Sequence, residues 1–329
     1  MTKSKILIVG NLTGWMGWHL ELFRRGFEEL GHTAELADYH RMARPLGIPL
    51  PSGKYETAWR NFQLERLLRS FQPQVLIFVA SLKFDTQWIR SFYPGQILFC
   101  EYDGWKILNP VLDKLKSVDR VFTTSREIVL GLKKYEIPCS CVPGAVDTQW
   151  YCPGTVTERE RAAYGSPVAF VGRSTPHRVA YCSAIADCGL TVYGKRWCNE
   201  EACAPGGVLE HAIRYRRDVT PEEVRSIYRS SGAIINILRE GMDLLSLQGF
   251  DVPACGACLC NEMLPDLETF FDIGSEILAF ASPEELREIV QRINREPDFA
   301  RKIGENGRKR CLAQYTFKHR AERILKALE

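Results

Sequence analysis

Two acids eight residues apart, Asp243 and Asp251, bracket the stretch DLLSLQGFDVPACG, which closes on small residues ending at Gly256. A carboxylate at such a place can accept charge-assisted hydrogen bonds from sugar hydroxyls. If the second half of the stretch opens a helix, its first turn gathers unpaired backbone N–H groups and the positive end of the helix dipole, and such an end holds an anion. Ser246, Gln248 and Gly249 are small or polar, so a ligand can lie against the backbone of that turn, Leu247 included. Phosphate and sugar are the ligand chemistry this suggests. The structural alternative is a turn acid at Asp243 and a helix-cap acid at Asp251.

Basic and acidic groups recur at the ends of apolar runs. The segment GRSTPHR follows the run Pro167 to Gly172 and supplies Arg173 and Arg178; Lys195 closes the run Leu190 to Tyr193. Long cations at these places can neutralise a diphosphate where no metal does so. Each can equally be a solvated surface residue. The run Gln96 to Cys100 leads into Glu101, Tyr102, Asp103, Gly104 and Trp105, which puts two acids where ligands sit in open parallel sheets, beyond the carboxyl ends of strands. Gly14, in the loop NLTGWMGW, can bring backbone close to a phosphate, although the glycine spacing there is not a dinucleotide fingerprint.

These residues need elements to carry them. Lys5 to Gly10 reads as a buried strand and Trp18 to Leu30 as an amphipathic helix stopped by Gly31, the opening of a Rossmann-like unit. Strands are expected at Glu35 to Tyr39, Gln74 to Ala80, Gln96 to Cys100, Asp119 to Ser125 and Ser140 to Pro143, with a helix over Arg60 to Phe71. The pattern restarts with strands at Pro167 to Gly172, Leu190 to Tyr193, Ala212 to Arg216, Ala233 to Leu238, Ala257 to Asn261 and Glu276 to Phe280. Helices at Pro283 to Ile293, Phe299 to Gln314 and Phe317 to Leu328 complete it. Alternation of this kind predicts two α/β domains, each a parallel sheet with helices on both faces. The first is expected over residues 1–155 and the second over 165–312, with 313–329 a helix returning to the first domain.

The 329 residues, 45% apolar, suffice for two domains with sizeable cores. A formal charge of +3 makes no strong claim on nucleic acid or membrane. No apolar run reaches membrane-spanning length, and the start KSKILIVGN is too short in apolar residues for a signal peptide. Twelve cysteines without such a signal point to reduced thiols and a cytoplasmic protein. Cys255 and Cys258 have metal-ligand spacing but lack a companion pair, so no metal site is expected.

Two acids eight apart before Ala254-Cys255-Gly256 resemble the donor-binding segment of GT-B glycosyltransferases of the family 4 kind, and more narrowly the spore-maturation CgeB-like glycosyltransferases. Both acids are glutamates in that family and aspartates here, and Gln248 stands where CgeB-like sequences often have Arg. GRSTPHR is similar to the family's Gly-Arg with a later Lys or Arg, which implies a diphosphate grip for Arg173 and Arg178. Arg217-Asp218-Val219 resembles the loop over the nucleotide base, implying backbone contacts at Val219. The resemblance implies two Rossmann-like domains facing each other across a cleft. Its activity would be metal-independent, retaining transfer from a nucleoside-diphosphate sugar, a UDP-sugar first, with no other cofactor. Asp251 would hold the ribose and Asp243 the sugar, with Glu101 or Asp103 orienting the acceptor. The acceptor stays open among glycan, protein, small molecule and modified DNA. Two other readings stand beside this one: a non-catalytic nucleotide-sugar-binding or coat-type protein, and a glycosyltransferase acting on modified DNA bases.

Overall fold

The computed structural model describes residues 3–44, 53–80, 82–101, 109–198, 200–238 and 244–329, the side chains of Trp15 and Pro110 excepted. The chain divides into two compact units, Met1–Pro143 joined by Phe317–Glu329, and Gly144–Thr316.

In the first unit six parallel strands lie in the order β2-β1-β3-β4-β5-β6: β1 Lys5–Gly10, β2 Thr33–Asp38, β3 Val75–Val79, β4 Gln96–Cys100, β5 Arg120–Thr123 and β6 Cys139–Cys141. Every residue of β3 is buried, as is β1 from Ile6 to Gly10, the signature of a parallel sheet covered on both faces. Leu7, Val9, Leu76, Phe78, Ile97 and Phe99 form one core with Leu64 and Leu68 of the helix Gly53–Phe71. The helix Gly14–Glu29 begins four residues before the predicted Trp18, and its first residue, Gly14, takes φ +60, a conformation open to glycine without steric cost. It packs on the C-terminal helix Phe317–Lys326 at close range: a Cβ on Gly26 would stand 2.5 Å from the carbonyl of Phe317. Arg320 of that helix is buried and donates to the Pro143 carbonyl at 2.8 Å.

In the second unit the order is β12-β11-β10-β7-β8-β9, again all parallel: β7 Ser166–Val171, β8 Leu190–Tyr193, β9 Ile213–Tyr215, β10 Ser231–Asn236, β11 Cys258–Glu262 and β12 Leu278–Phe280. The first three strands build outward to one side and the last three to the other, so the order in which strands are added reverses between β7 and β10. That is the doubly wound Rossmann order, whose crevice opens at the reversal. The helices Pro176–Ala184, Pro221–Ser230 and Pro283–Arg295 start on Thr175, Thr220 and Ser282, whose side chains each accept a backbone N–H three residues on.

The predicted domain ends differ from the observed packing. Residues 144–155 were assigned by sequence to the first domain but lie on the second unit: Arg229 Nε donates to the Cys152 carbonyl at 2.6 Å, and the ring of Tyr151 lies 6.1 Å from that of Tyr228. Residues 313–316 also belong there, with the Tyr315 hydroxyl on the Phe270 carbonyl at 2.6 Å. Ala313 and Gln314 are the last residues of the helix Pro297–Gln314, which lies wholly in the second unit.

Candidate functional site

The crevice between β7 and β10 is lined by the segment that leaves β7. Gly172 and Gly194 touch so closely that a Cβ on Gly194, at φ +145, would stand 2.0 Å from the Gly172 carbonyl oxygen. That oxygen also accepts from Trp197 Nε1 at 2.8 Å, and Ser174 Oγ donates to the Arg196 carbonyl at 2.8 Å. The exit loop of β7 is therefore pinned to the exit loop of β8 before it turns into the helix Pro176–Ala184.

Arg178, in the first turn of this helix, spans the reversal. Its Nε donates to the Ile237 carbonyl beyond β10 at 3.0 Å, its Nη1 to the Arg173 carbonyl at 3.0 Å, and the guanidinium lies 5.4 Å from the ring centre of Phe170. Arg173 is exposed, and its side chain has no ion-pair partner among the described residues. The two arginines named from sequence thus meet at one strand end in different states, one braced by backbone and one reaching outward. Lys195 is engaged elsewhere, with Asp218 Oδ2 at 2.9 Å on the surface. Val219 is half-buried against the apolar cluster around Tyr228, one residue before the Thr220 cap.

On the other side of the crevice, two buried asparagines are held in register, Asn236 at the end of β10 and Asn261 one residue before the end of β11. Asn236 Nδ2 donates to Asn261 Oδ1 at 2.6 Å and to Ser246 Oγ at 3.1 Å, and Asn261 Nδ2 donates to the Glu262 carbonyl at 2.6 Å. Ser246 is therefore fixed from beneath by the strands. The carbonyl of Leu247 takes the N–H groups of Phe250 and Asp251, both at 2.9 Å, as the helix Gln248–Ala254 begins. Gln248 Nε2 donates to the Val171 carbonyl at 3.0 Å and lies 3.0 Å from the Tyr228 hydroxyl, tying this helix to the end of β7. Where the sequence comparison saw a missing cation, the structure has an amide brace.

Asp251 is half-buried in that helix. Its carboxyl is pushed well above the usual carboxylate range, first by burial and second by the charge of Asp147. The phenols of Tyr151 and Tyr228 are raised as well, by burial first and by Asp251 second. A carboxyl among these groups favours its neutral form, which differs from the ionised ribose acceptor expected from sequence. Glu101, at the end of β4 in the first unit, is 1% exposed and accepts from Thr123 Oγ1 at 3.0 Å, a buried setting that differs from an acid open to an acceptor. Gly14 has open space where a Cβ would go. Asp103 and Asp243 lie outside the described residues.

Sequence reasoning passed over His177 and Glu262. His177 Nε2 lies 2.7 Å from Glu262 Oε1, while Glu262 Oε2 accepts the Leu238 N–H at 2.8 Å. His177 lies within the GRSTPHR segment without a role assigned there, and Glu262, the last residue of β11, lies outside every motif named from the sequence. The twelve cysteines are all free, and no group of three metal-ligand side chains forms among the described residues.

Two parallel six-stranded sheets of this order make the chain a GT-B glycosyltransferase fold. Residues 177–326 match the family model described as glycosyl transferase-like. Among solved structures the chain is similar to sucrose-phosphate synthase from Thermosynechococcus elongatus, at TM-score 0.68 and 13% identity over 99% of this chain and 98% of that one. A glycosyltransferase from Rickettsia africae gives TM-score 0.69 at 12% identity over 99% and 98%. Anabaena HepE, solved with UDP-glucose, gives 0.66 at 10% identity over 99% of both chains. No curated protein matches the chain significantly. Among the described residues no helix is long and apolar enough to cross a membrane.

Proposed function

We propose that the protein is a glycosyltransferase that takes a sugar from a nucleoside-diphosphate sugar, a UDP-sugar first, and passes it to an acceptor hydroxyl. One observation carries this reading: Arg178 is fixed across the β7/β10 reversal while Arg173, on the same loop, projects outward without an ion-pair partner among the described residues. Growing negative charge on a leaving diphosphate is stabilised by cations already held in place, because no reorganisation is then needed as the bond breaks. The glycosyl transferase-like family match over residues 177–326 and the UDP-glucose bound by Anabaena HepE support the same chemistry.

Ser246 and Leu247 present backbone to the phosphates from the β10 side, and Val219 covers the base. Asp251 takes part as a neutral carboxyl, while Asp243 contacts the sugar. Gly14 serves as a backbone contact for a phosphate, and Asp103 and Glu101 serve the acceptor, Glu101 from a buried position. Transfer proceeds with retention and without a divalent metal, in a CgeB-like enzyme of the cytoplasm. The reading is tested by incubating the protein with UDP-glucose and following UDP release, with and without EDTA. Release that persists in EDTA and drops at least tenfold in Arg173→Ala supports it; release that needs added manganese removes the metal-independent mechanism.

A further inference from the structure

The first unit holds a basic cavity that has no part in donor binding. β1 and β2 end level, with Gly10 paired to Asp38, and beyond their carboxyl ends lies a cavity of about 450 Å³ lined by Thr13, Asp38, His40, Arg41 and Arg44. Ligands sit at this edge of an open parallel sheet, and the volume is that of a small-molecule site. All five residues belong to the first unit.

Charge in the cavity is one-sided. Asp38 is the one acid in its lining, and that carboxylate is already engaged: its side chain is 4% exposed, and Oδ1 accepts the N–H of His40 at 2.8 Å. Its Oδ2 stands 3.9 Å from Arg41 Nε, too far for a hydrogen bond, and the Arg41 side chain is 90% exposed. A pair of that length and exposure takes up little of the arginine's charge. Arg44, whose N–H donates to the Arg41 carbonyl at 3.1 Å, stands one turn on, exposed and without an ion-pair partner among the described residues. Thr13 shapes the wall but brings no donor, since its N–H and its hydroxyl both donate to Asn11 Oδ1, at 3.1 and 2.7 Å.

Capping the short helix Tyr39–Met42 explains Asp38. It does not explain two arginines on one cavity. Like charges one turn apart repel unless an anion lies between them, and guanidinium forks match the paired oxygens of phosphate and carboxylate. We propose that this cavity binds an oxyanion, phosphate or carboxylate, carried by the acceptor, so that the acceptor is a small anionic molecule held by Arg41 and Arg44. The inference rests on the donor reading given above: with the diphosphate at the β7/β10 reversal of the second unit, an anion site in the first unit falls to the other substrate.

The test starts from the full chain saturated with UDP, so that the second-unit site is filled before inorganic phosphate is added. The backbone amides of Thr13, His40, Arg41 and Arg44 should shift saturably at millimolar phosphate, and less so as sodium chloride is raised. In the double variant Arg41→Gln, Arg44→Gln the phosphate affinity should fall about tenfold, the scale of a hydrogen bond to a charged group, while UDP affinity stays within twofold. The second readout is UDP release from UDP-glucose with glucose-6-phosphate, glucuronate or glucose as acceptor. Release should be faster with one or both of the anionic sugars than with glucose, and the double variant should lose that difference; the two anionic arms tell phosphate from carboxylate. Phosphate shifts that miss these residues, or an affinity unaltered in the double variant, overturn the site. Release that does not distinguish the anionic sugars from glucose overturns the acceptor role. UDP that fails to bind the wild-type protein overturns the donor reading instead, and phosphate shifts at residues 13 and 40–44 then still report the oxyanion site.

Discussion

At the scale of single residues, the crevice separates side chains that hold the structure from those free to hold a ligand. Arg173 makes no side-chain ion pair among the described residues, so Arg173→Ala should weaken UDP binding by about 2 kcal/mol, as expected for loss of a charge-assisted contact, and leave the melting temperature within about a degree. Arg178→Ala should cost affinity and stability together, since it also releases the carbonyls of Ile237 and Arg173. Calorimetry and thermal melts on the two variants separate these outcomes. Asp251 yields a prediction in pH. Its folded-state proton affinity is raised, so between the ordinary carboxylate range and its higher folded value the native state binds more protons than the unfolded chain. Its contribution to stability is complete below the ordinary range and is lost as pH rises through the folded value. Asp251→Asn, of similar size and permanently neutral, removes that loss: the variant should gain on wild type in denaturant melts as pH increases. Equal pH profiles for the two proteins would show that Asp251 ionises normally.

At the scale of elements, glycine contacts set the geometry of the β7 exit. Gly194→Ala drives a methyl group into the Gly172 carbonyl in a backbone region that L-residues avoid, so it should lower stability by several kcal/mol and disturb nucleotide binding. Gly206→Ala, with φ +81 but open space around it, should cost only about 1–2 kcal/mol of backbone strain. Melting curves of both variants check the difference. These elements were largely legible in the sequence. Buried strands such as Leu7 to Val9 and Leu76 to Phe78 announce themselves as apolar runs, and the helix from Pro283 was legible from its apolar periodicity behind Ser282. Less legible were features whose cause lies far off in sequence. The helix Gly53–Phe71 begins seven residues before the predicted Arg60, through a polar first turn without apolar periodicity. The site divides the same way: Arg173 and Arg178 followed from a strand end, whereas the Asn236–Asn261 amide pair, the Gln248 brace and the His177–Glu262 contact arise from parallel strands in register and from helix placement. Spacing along one chain does not encode such neighbours.

At the scale of the whole molecule, the C-terminal helix belongs to the first unit although its sequence follows the second. The close approach of Gly26 to the carbonyl of Phe317 leaves no room for a side chain. Gly26→Val should therefore loosen the helix Phe317–Lys326 and destabilise the first unit, seen as earlier proteolysis there, while UDP affinity of the second unit stays within twofold. The central claim is that the second unit holds a nucleoside diphosphate at the β7/β10 reversal. The most direct measurement is a map of backbone amide shifts in the full chain as UDP is added. The account predicts saturable shifts concentrated at residues 172–178, 237–238 and 246–248. Shifts confined to other surfaces, or none with UDP, ADP or GDP at millimolar concentration, would contradict it.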